Sequence, residues 1–255
     1  MHPTAIVAEG ARIGRGTRIG PYAVIGEGVS IGEDCWIGAH VVIEGETSLG
    51  ARNRVFPFAS LGTDPQDLKY RGEATRLEIG DRNTIREFAT MNRGTAGGGG
   101  VTRVGDDNLF MAYSHVAHDC RVGNHVVLAN AATLAGHVTV EDYAIVGGLV
   151  AIHQHARVGE SALLGGGAMV SLDVPPFCIA AGDRARLHGL NVIGLQRRGF
   201  DKQTISDLRG AYRVLFQSSL KLRDALAELR SRYPNSPRVE QMARFIESSQ
   251  RGICR

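Results

Sequence analysis

Seven of the nine histidines in this 255-residue chain fall between His115 and His188, and several have neighbours suited to proton transfer. An imidazole with a pKa near ~6.5 can take a proton at neutral pH. His118 is followed by Asp119, a carboxylate able to orient or polarise the ring. Eighteen residues on stand Gly136 and His137, and eighteen further on stand Gln154 and His155. The Gly136 N–H could lie where an oxyanion develops, because glycine lets a substrate approach the backbone closely. His115 precedes His118 by three residues, and His153 adjoins Gln154. Together these groups could accept a proton and hold an oxyanion, provided that eighteen residues correspond to one physical repeat.

The elements that would position them follow from a six-residue period. From Ile13 through Ile19, Ile25 and onward to Leu61, every sixth residue is aliphatic, and a second run goes from Val104 through Phe110 to Val170 without a miss. Neither the helical period nor strand alternation predicts this pattern; it is the hexapeptide signature of a parallel β-helix. Each unit supplies a short strand and a corner, with one aliphatic side chain inward and a glycine expected to permit the bend. Three units close one triangular coil, and coils stack at about 4.8 Å. Each buried aliphatic contributes roughly 1.5 to 3 kcal/mol, so a stack of coils offsets an ordering entropy that one coil cannot. No frame break falls between Val104 and Val170, so His118, Gly136 and Gln154 form one column and Asp119, His137 and His155 its neighbour. The competing reading is a ladder of stacked surface histidines without chemistry.

The frame breaks twice, over 62–78 and over 92–103 with its four glycines at 97–100. Loops thrown out of a rigid repeat are expected to serve recognition. After Val170 the repeat stops at Asp173-Val174-Pro175-Pro176, and Gln203–Phe216 and Ser219–Arg230 space their apolar residues as helices do. Ser236-Pro237 suits a helix start before Val239, Met242, Phe245 and Ile246. The expected organisation is a β-helix over 1–186 with inserted loops, then a helical domain over 187–255 that caps the open end.

Several classes are disfavoured. A net charge of +3 is too weak to argue for nucleic acid. The start shows no basic segment followed by an apolar run, and no stretch approaches the roughly 18 apolar residues that cross a bilayer, so a cytoplasmic protein without stable membrane insertion is expected. Cys35, Cys120, Cys178 and Cys254 lack paired metal spacing and suit reduced, buried thiols. A trimeric hexapeptide zinc site would use a histidine pair five residues apart, and no two histidines here have that spacing. Cys120 as an acyl-accepting thiol would share the face of His118 only if the corner allowed it.

The segments His115-Val-Ala-His-Asp-Cys120, Thr133-Leu-Ala-Gly-His137, Ile152-His-Gln154, Gln66-Asp-Leu-Lys-Tyr70, Asp173-Val-Pro-Pro176 and Arg197-Arg-Gly-Phe200 together resemble the bacterial acyl-carrier-protein-dependent UDP-N-acetylglucosamine O-acyltransferases. These catalyse the first step of lipid A synthesis, and the match runs almost the whole length. The resemblance implies a left-handed parallel β-helix with a C-terminal α-helical domain. The left hand comes from the resemblance alone, since parallel crossovers are right-handed in roughly 98% of cases. It further implies a homotrimer with active sites between subunits, acyl carrier protein as donor, UDP-N-acetylglucosamine as acceptor, and no metal or other cofactor. By similarity His118 is the general base, Gly136 N–H the oxyanion donor and Asp119 the support of His118. Asp67, Lys69, His115, His137, His153 and Gln154 match substrate contacts, and Asn191, Arg197 and Arg198 match nucleotide and phosphate contacts, for which forked arginine donors are suited. Gly166 matches the floor of the acyl groove, where a small residue implies a long chain near that of 3-hydroxymyristate.

Three positions depart from the family pattern: Ile193 stands where an acidic residue is usual, His155 where Phe is usual, and Asn92 where His is usual. They bear on acceptor recognition, including whether the sugar presents a 3-hydroxyl or a 3-amino group. The alternatives are therefore N-acylation of a 3-amino sugar on the same fold, and a non-catalytic β-helix that binds acyl carrier protein.

Overall fold

The computed structural model describes residues 1–255. Its twenty-seven strands, most of them two residues long, stack into three sheets of nine, eight and ten strands, here sheets A, B and C. Each lap of the chain visits A, then B, then C. His115 lies over Thr133, and Thr133 over Ala151, so the eighteen-residue lap holds through this region. All pairing is parallel except a closing hairpin of Cys178–Ala181 with Arg186–Leu190 at the edge of sheet C. The inward aliphatics form one core of 43 buried residues running up the axis. At one corner, buried Asn53, Asn83 and Asn108 form an internal ladder: Asn53 Oδ1 accepts from Asn83 N at 2.8 Å, and Asn83 Oδ1 from Asn108 N at 2.9 Å. That ladder pins register where polar groups would otherwise be buried unpaired.

The glycines of the repeat do a different job from the one expected. Gly14, which follows Ile13, does not adopt the left-handed conformation; a Cβ there would come within 2.4 Å of the Gly32 carbonyl carbon in the next coil. Its role is clearance between stacked coils. Apart from Gly16 and Gly167, the left-handed bends of the repeat corners are made mostly by non-glycine residues such as Asp119 (φ 60°), His137 (φ 62°) and His155 (φ 63°). Each such bend costs an L-residue about 1–2 kcal/mol, which the inter-coil hydrogen bonds and the apolar axis offset.

Both frame breaks leave from the same corner. Ser60–Thr63 and Thr90–Asn92 of sheet A precede the two excursions, and Arg76–Ile79 and Val101–Val104 of sheet B follow them. One coil further along, the A-to-B corner is His118-Asp119, then Gly136-His137, then Gln154-His155. The excursions therefore stack directly against the polar columns, and Arg93 braces them together by donating to Gly62 O at 2.7 Å and Tyr70 Oη at 3.0 Å.

Beyond the hairpin lie α1 (Val192–Arg197), α2 (Lys202–Phe216), α3 (Leu222–Arg232) and α4 (Pro237–Glu247). They enclose a separate core of 17 buried residues that includes Phe177 and Cys178. The short strand Arg186–Leu190 and α1 carry no repeat or helical period of their own, and the sequence pattern did not announce them. Nor do the helices close the coil axis. That is done by the residues after them: Cys254 N donates to Asp173 O, Asp173 N donates to Gly252 O, both at 2.9 Å, and Cys254 joins the axial core. No helix is long and apolar enough to cross a membrane.

Candidate active site

At the A-to-B corner His118 Nδ1 lies 2.8 Å from Asp119 Oδ2. A carboxylate only accepts, so this contact places the proton on Nδ1 and leaves the Nε2 lone pair free, the tautomer a general base needs. The Asp119 side chain has no exposed surface. Its charge is held by donors: Thr95 N reaches Oδ1 at 2.9 Å and Thr95 Oγ1 reaches Oδ2 at 2.7 Å. Asp119 N in turn donates to Thr102 Oγ1 at 2.8 Å. The second excursion folds inward over the carboxylate, and its Thr95, Ala96 and Gly97 also line the pocket beside the dyad. Gly98 lies so close that a Cβ would collide with Asp119 Cγ.

Gly136 lies in the coil above and is buried beneath the imidazole. A Cβ at this position would come within 2.5 Å of His118 Cε1. Ala135 N and His137 N on either side donate to Ile152 O and His118 O, whereas Gly136 N donates to no protein acceptor. The same corner position is free in neighbouring coils, at His118, Gly148 and Gln154; what sets Gly136 apart is the absent side chain under the imidazole, which leaves an N–H beside His118 suited to hold developing negative charge.

The neighbouring imidazoles extend this surface. The His137 ring stands edge-on to His118 with centroids 5.2 Å apart and stacks on His155 at 4.4 Å. Burial pulls His137 below its ordinary pKa, against the opposing charge of Asp119. His115 is hydrogen-bonded through Nδ1 to Thr90 Oγ1 at 2.7 Å, and burial followed by the His118 charge pulls its pKa down. A pocket of about 290 Å³ beside the dyad is lined by Asp67, Lys69, Tyr70, Thr95, His137 and His155. Asp67 Oδ1 accepts from Lys69 N at 2.9 Å, which shapes the tip of the first excursion and leaves the Lys69 side chain exposed. Gln154 and His153 are also exposed, the latter in a shallow recess with Met169 and Arg184.

The donor atoms of His118, Asp119 and His137 all lie within 4.8 Å of one another, close enough to share a cation. An ion there would compete with Thr95 and His118 for the Asp119 oxygens. Cys120, two residues from His118, points away from it: its Sγ donates to Ala135 O at 3.1 Å, and burial pushes the thiol up to about 12. A thiol so disfavoured as thiolate is a structural residue.

The remaining candidates lie elsewhere. Gly166 sits above Gly148 at the corner between sheets C and A, the opposite edge of sheet A from His118. Asn191, Arg197 and Arg198 line a cleft of about 640 Å³ over sheet C, with Val127, Ile145 and Leu163 as its apolar floor. Within it, two side chains are already committed. Asn191 is the buried N-cap of α1, accepting from Gly194 N at 3.1 Å and donating to Ser161 O at 3.0 Å. Arg198 pairs with Glu160 at 2.9 Å, donates to Ser161 Oγ, and lies 3.5 Å over the Tyr143 ring. Of the residues matched to nucleotide and phosphate contacts, Arg197 alone is exposed. One chain thus brings His118, Asp119, Gly136, His137 and the Asp67–Lys69 loop together, and keeps the α1 residues on another face.

Thr95 and Thr102 were not singled out from the sequence. Thr95 lies outside the six-residue frame, so no column arithmetic reaches it, and the threonine ahead of a glycine run is the one available signal; Thr102 stands eighteen residues before Cys120, just ahead of where the frame resumes at Val104.

Comparison with known proteins agrees with this architecture. Residues 173–254 match the family model described as UDP N-acetylglucosamine O-acyltransferase, domain 2, and residues 102–136 match the bacterial transferase hexapeptide model. The chain is 52% identical over 255 residues to an acyl-(acyl-carrier-protein)–UDP-N-acetylglucosamine O-acyltransferase of Halorhodospira halophila, and 49% identical to one of Thermodesulfovibrio yellowstonii, covering all of this chain and 99% of each relative. A solved UDP-N-acetylglucosamine acyltransferase from Bacteroides fragilis superposes with a TM-score of 0.98 at 41% identity over the full length of both chains. The O-acyltransferase from Moraxella catarrhalis superposes at 0.96 with 42% identity, covering 100% of this chain and 99% of the other. The chain belongs to the family of acyl-(acyl-carrier-protein)–UDP-N-acetylglucosamine O-acyltransferases.

Proposed function

We propose that this chain transfers an (R)-3-hydroxyacyl group from acyl carrier protein to the glucosamine 3-hydroxyl of UDP-N-acetylglucosamine, the first step of lipid A biosynthesis. The observation that carries the mechanism is a carboxylate-bound imidazole lying directly against Gly136, whose N–H donates to no protein acceptor. His118 Nε2 takes the proton as the sugar oxygen attacks the thioester carbonyl. The Gly136 N–H receives the oxyanion of the tetrahedral intermediate. Collapse breaks the carbon–sulfur bond, and the proton on His118 passes to the departing thiolate of the carrier. Base, oxyanion donor and positioning suffice for such a direct transfer.

His137 and the Asp67–Lys69 loop border this centre and are suited to the acceptor sugar, with His115, His153 and Gln154 arrayed along the same sheet A side. Asn191, Arg197 and Arg198 lie over sheet C, so they reach the same nucleotide only from a second copy. A homotrimer in which the sheet C cleft of one subunit faces sheet A of the next completes the site. An exposed stack of Tyr22, His40, Phe58, Phe88 and Tyr113 at the C-to-A corner supports that packing, its centroids 4.9 to 5.1 Å apart, because aromatic surface of this extent is normally covered. In such an assembly Asn191 acts by shaping α1, Arg198 through the Glu160 pair, and Arg197 as the free phosphate donor. The acyl chain runs along sheet A toward Gly166. The enzyme works in the cytoplasm, where the carrier protein and nucleotide sugar are met.

The deciding assay is turnover of UDP-N-acetylglucosamine with 3-hydroxyacyl carrier protein, wild type against His118→Ala. The variant should lose about 10²- to 10⁴-fold. Equal rates would remove the base assignment; no turnover by either protein would favour a binding module, and turnover of the 3-amino sugar alone would make the enzyme an N-acyltransferase.

A further inference from the structure

The geometry points to Thr95 as the positioning residue that holds the Asp119–His118 pair in its working tautomer, an inference that rests on reading His118 as the base. Thr95 gives Asp119 two of the three side-chain hydrogen bonds its carboxylate accepts, one from its backbone N and one from its hydroxyl. The direction of the second is fixed at both ends. Thr95 Oγ1 accepts from Gly98 N at 3.2 Å, so its proton is free to point at the carboxylate, which can only accept.

The consequence for His118 is steric as well as electrostatic. Asp119 Oδ2 carries both the Thr95 hydroxyl and His118 Nδ1, at 2.7 and 2.8 Å. With the hydroxyl in place the carboxylate cannot rotate away from the ring, and the ring keeps Nδ1–H inward and Nε2 outward. Without it, Oδ2 is free to swing toward His137 Nε2, now 3.8 Å away, and His118 loses the acceptor that selects its tautomer. The 3₁₀ turn Ala96–Gly98 that Thr95 caps belongs to the second excursion. A loop outside the repeat therefore holds the His118–Asp119 pair as well as lining the adjoining pocket.

The test uses the full chain in the acyl-transfer assay, with Thr95→Val and Thr95→Ser. Thr95→Val keeps the shape and the backbone donor but removes the hydroxyl. It should lower kcat about 10- to 100-fold, as a misplaced base does, with KM for both substrates changed less than about twofold; Thr95→Ser should recover activity to within about threefold of wild type. Nitrogen-15 histidine spectra supply a readout independent of turnover: His118 should be the Nδ1–H form in wild type and a mixture of both tautomers in Thr95→Val. Should that variant fail to fold, Thr95→Ala is read in the same way. A wild-type kcat in the folded variant, a loss confined to KM, or an unchanged tautomer overturns the inference. If wild type itself is inactive, or His118→Ala is as fast as wild type, the base reading fails instead, and the spectra still decide what Thr95 does.

Discussion

All three corners of the β-helix carry stacked rings on left-handed residues, and comparing two of them shows what sets the proposed catalytic corner apart. At the C-to-A corner His40 lies between Tyr22 and Phe58, with ring centroids 5.1 and 5.0 Å away, in an exposed stack. Its ring makes no hydrogen bond to another side chain. At the A-to-B corner His118 is fixed by a buried carboxylate, covers a buried glycine and is roofed by a loop. A ladder of stacked rings, histidine among them, is therefore what the repeat produces unaided. The arrangement proposed as active differs from that ladder by three interruptions: an aspartate in place of a ring, a glycine in place of a side chain, and an excursion in place of a tight corner.

That comparison can be broken at each interruption. The largest effect should come from Asp119→Asn, which keeps the shape but no longer selects the tautomer: kcat should fall about 10²- to 10⁴-fold, while His40→Asn leaves it within about twofold. Equal losses in the same assay would mean that Asp119, like His40, serves the fold alone. Next, Gly136→Ala should cost about 10²-fold, because the new Cβ would lie 2.5 Å from His118 Cε1 and displace the ring. Gly148→Ala, whose sole neighbour within 4 Å is Asn130 O at 3.3 Å, should have little effect; a similar loss in both variants would deny Gly136 any special place.

A third contrast concerns the far edge of sheet A. The Gly166 Cβ position meets only Gly148 O, at 3.4 Å, so Gly166→Met should fold normally. It should shift preference toward shorter acyl donors by about tenfold, since each methylene that an apolar groove admits or excludes is worth about 1–3 kcal/mol. Unchanged preference across donor lengths would free Gly166 from the acyl groove.

The smallest effect is on stability. The folded-state values of His115 and His137 are lowered by burial, so the unfolded chain takes up these protons first as pH falls. Stability from this source is complete above roughly pH 6.5, the ordinary histidine value, and declines as pH drops through it. His115→Gln, which can retain a bond to Thr90, should flatten the acid side of the Tm profile; an unaltered slope between about pH 7.5 and 5.5 would assign that slope to other groups.

The family motifs around His118, Gly136 and Gln154 were legible because each lies in frame, where a position in the chain is also a position on the prism. Ile193 shows the limit of this reading. A departure from the family pattern marks it, yet the structure gives it an exposed place on α1 at the rim of the sheet C cleft, on a face that no count from His118 could have assigned. The glycine after each inward aliphatic was visible as a regularity, but its role was not, because clearance between coils depends on what lies eighteen residues away.

By itself, the six-residue period determined the stack, the eighteen-residue lap and the column that sets an imidazole against a bare peptide nitrogen, since a repeating backbone converts sequence distance into spatial distance. Tertiary structure decided what happens wherever that conversion stops: that the second excursion turns inward so Thr95 grips Asp119, that residues 252–254 rather than the helices close the axis, and that Asn191, Arg197 and Arg198 stand on a different face from the base. Those contacts join segments with no common period, and their placement follows from packing and buried hydrogen bonds.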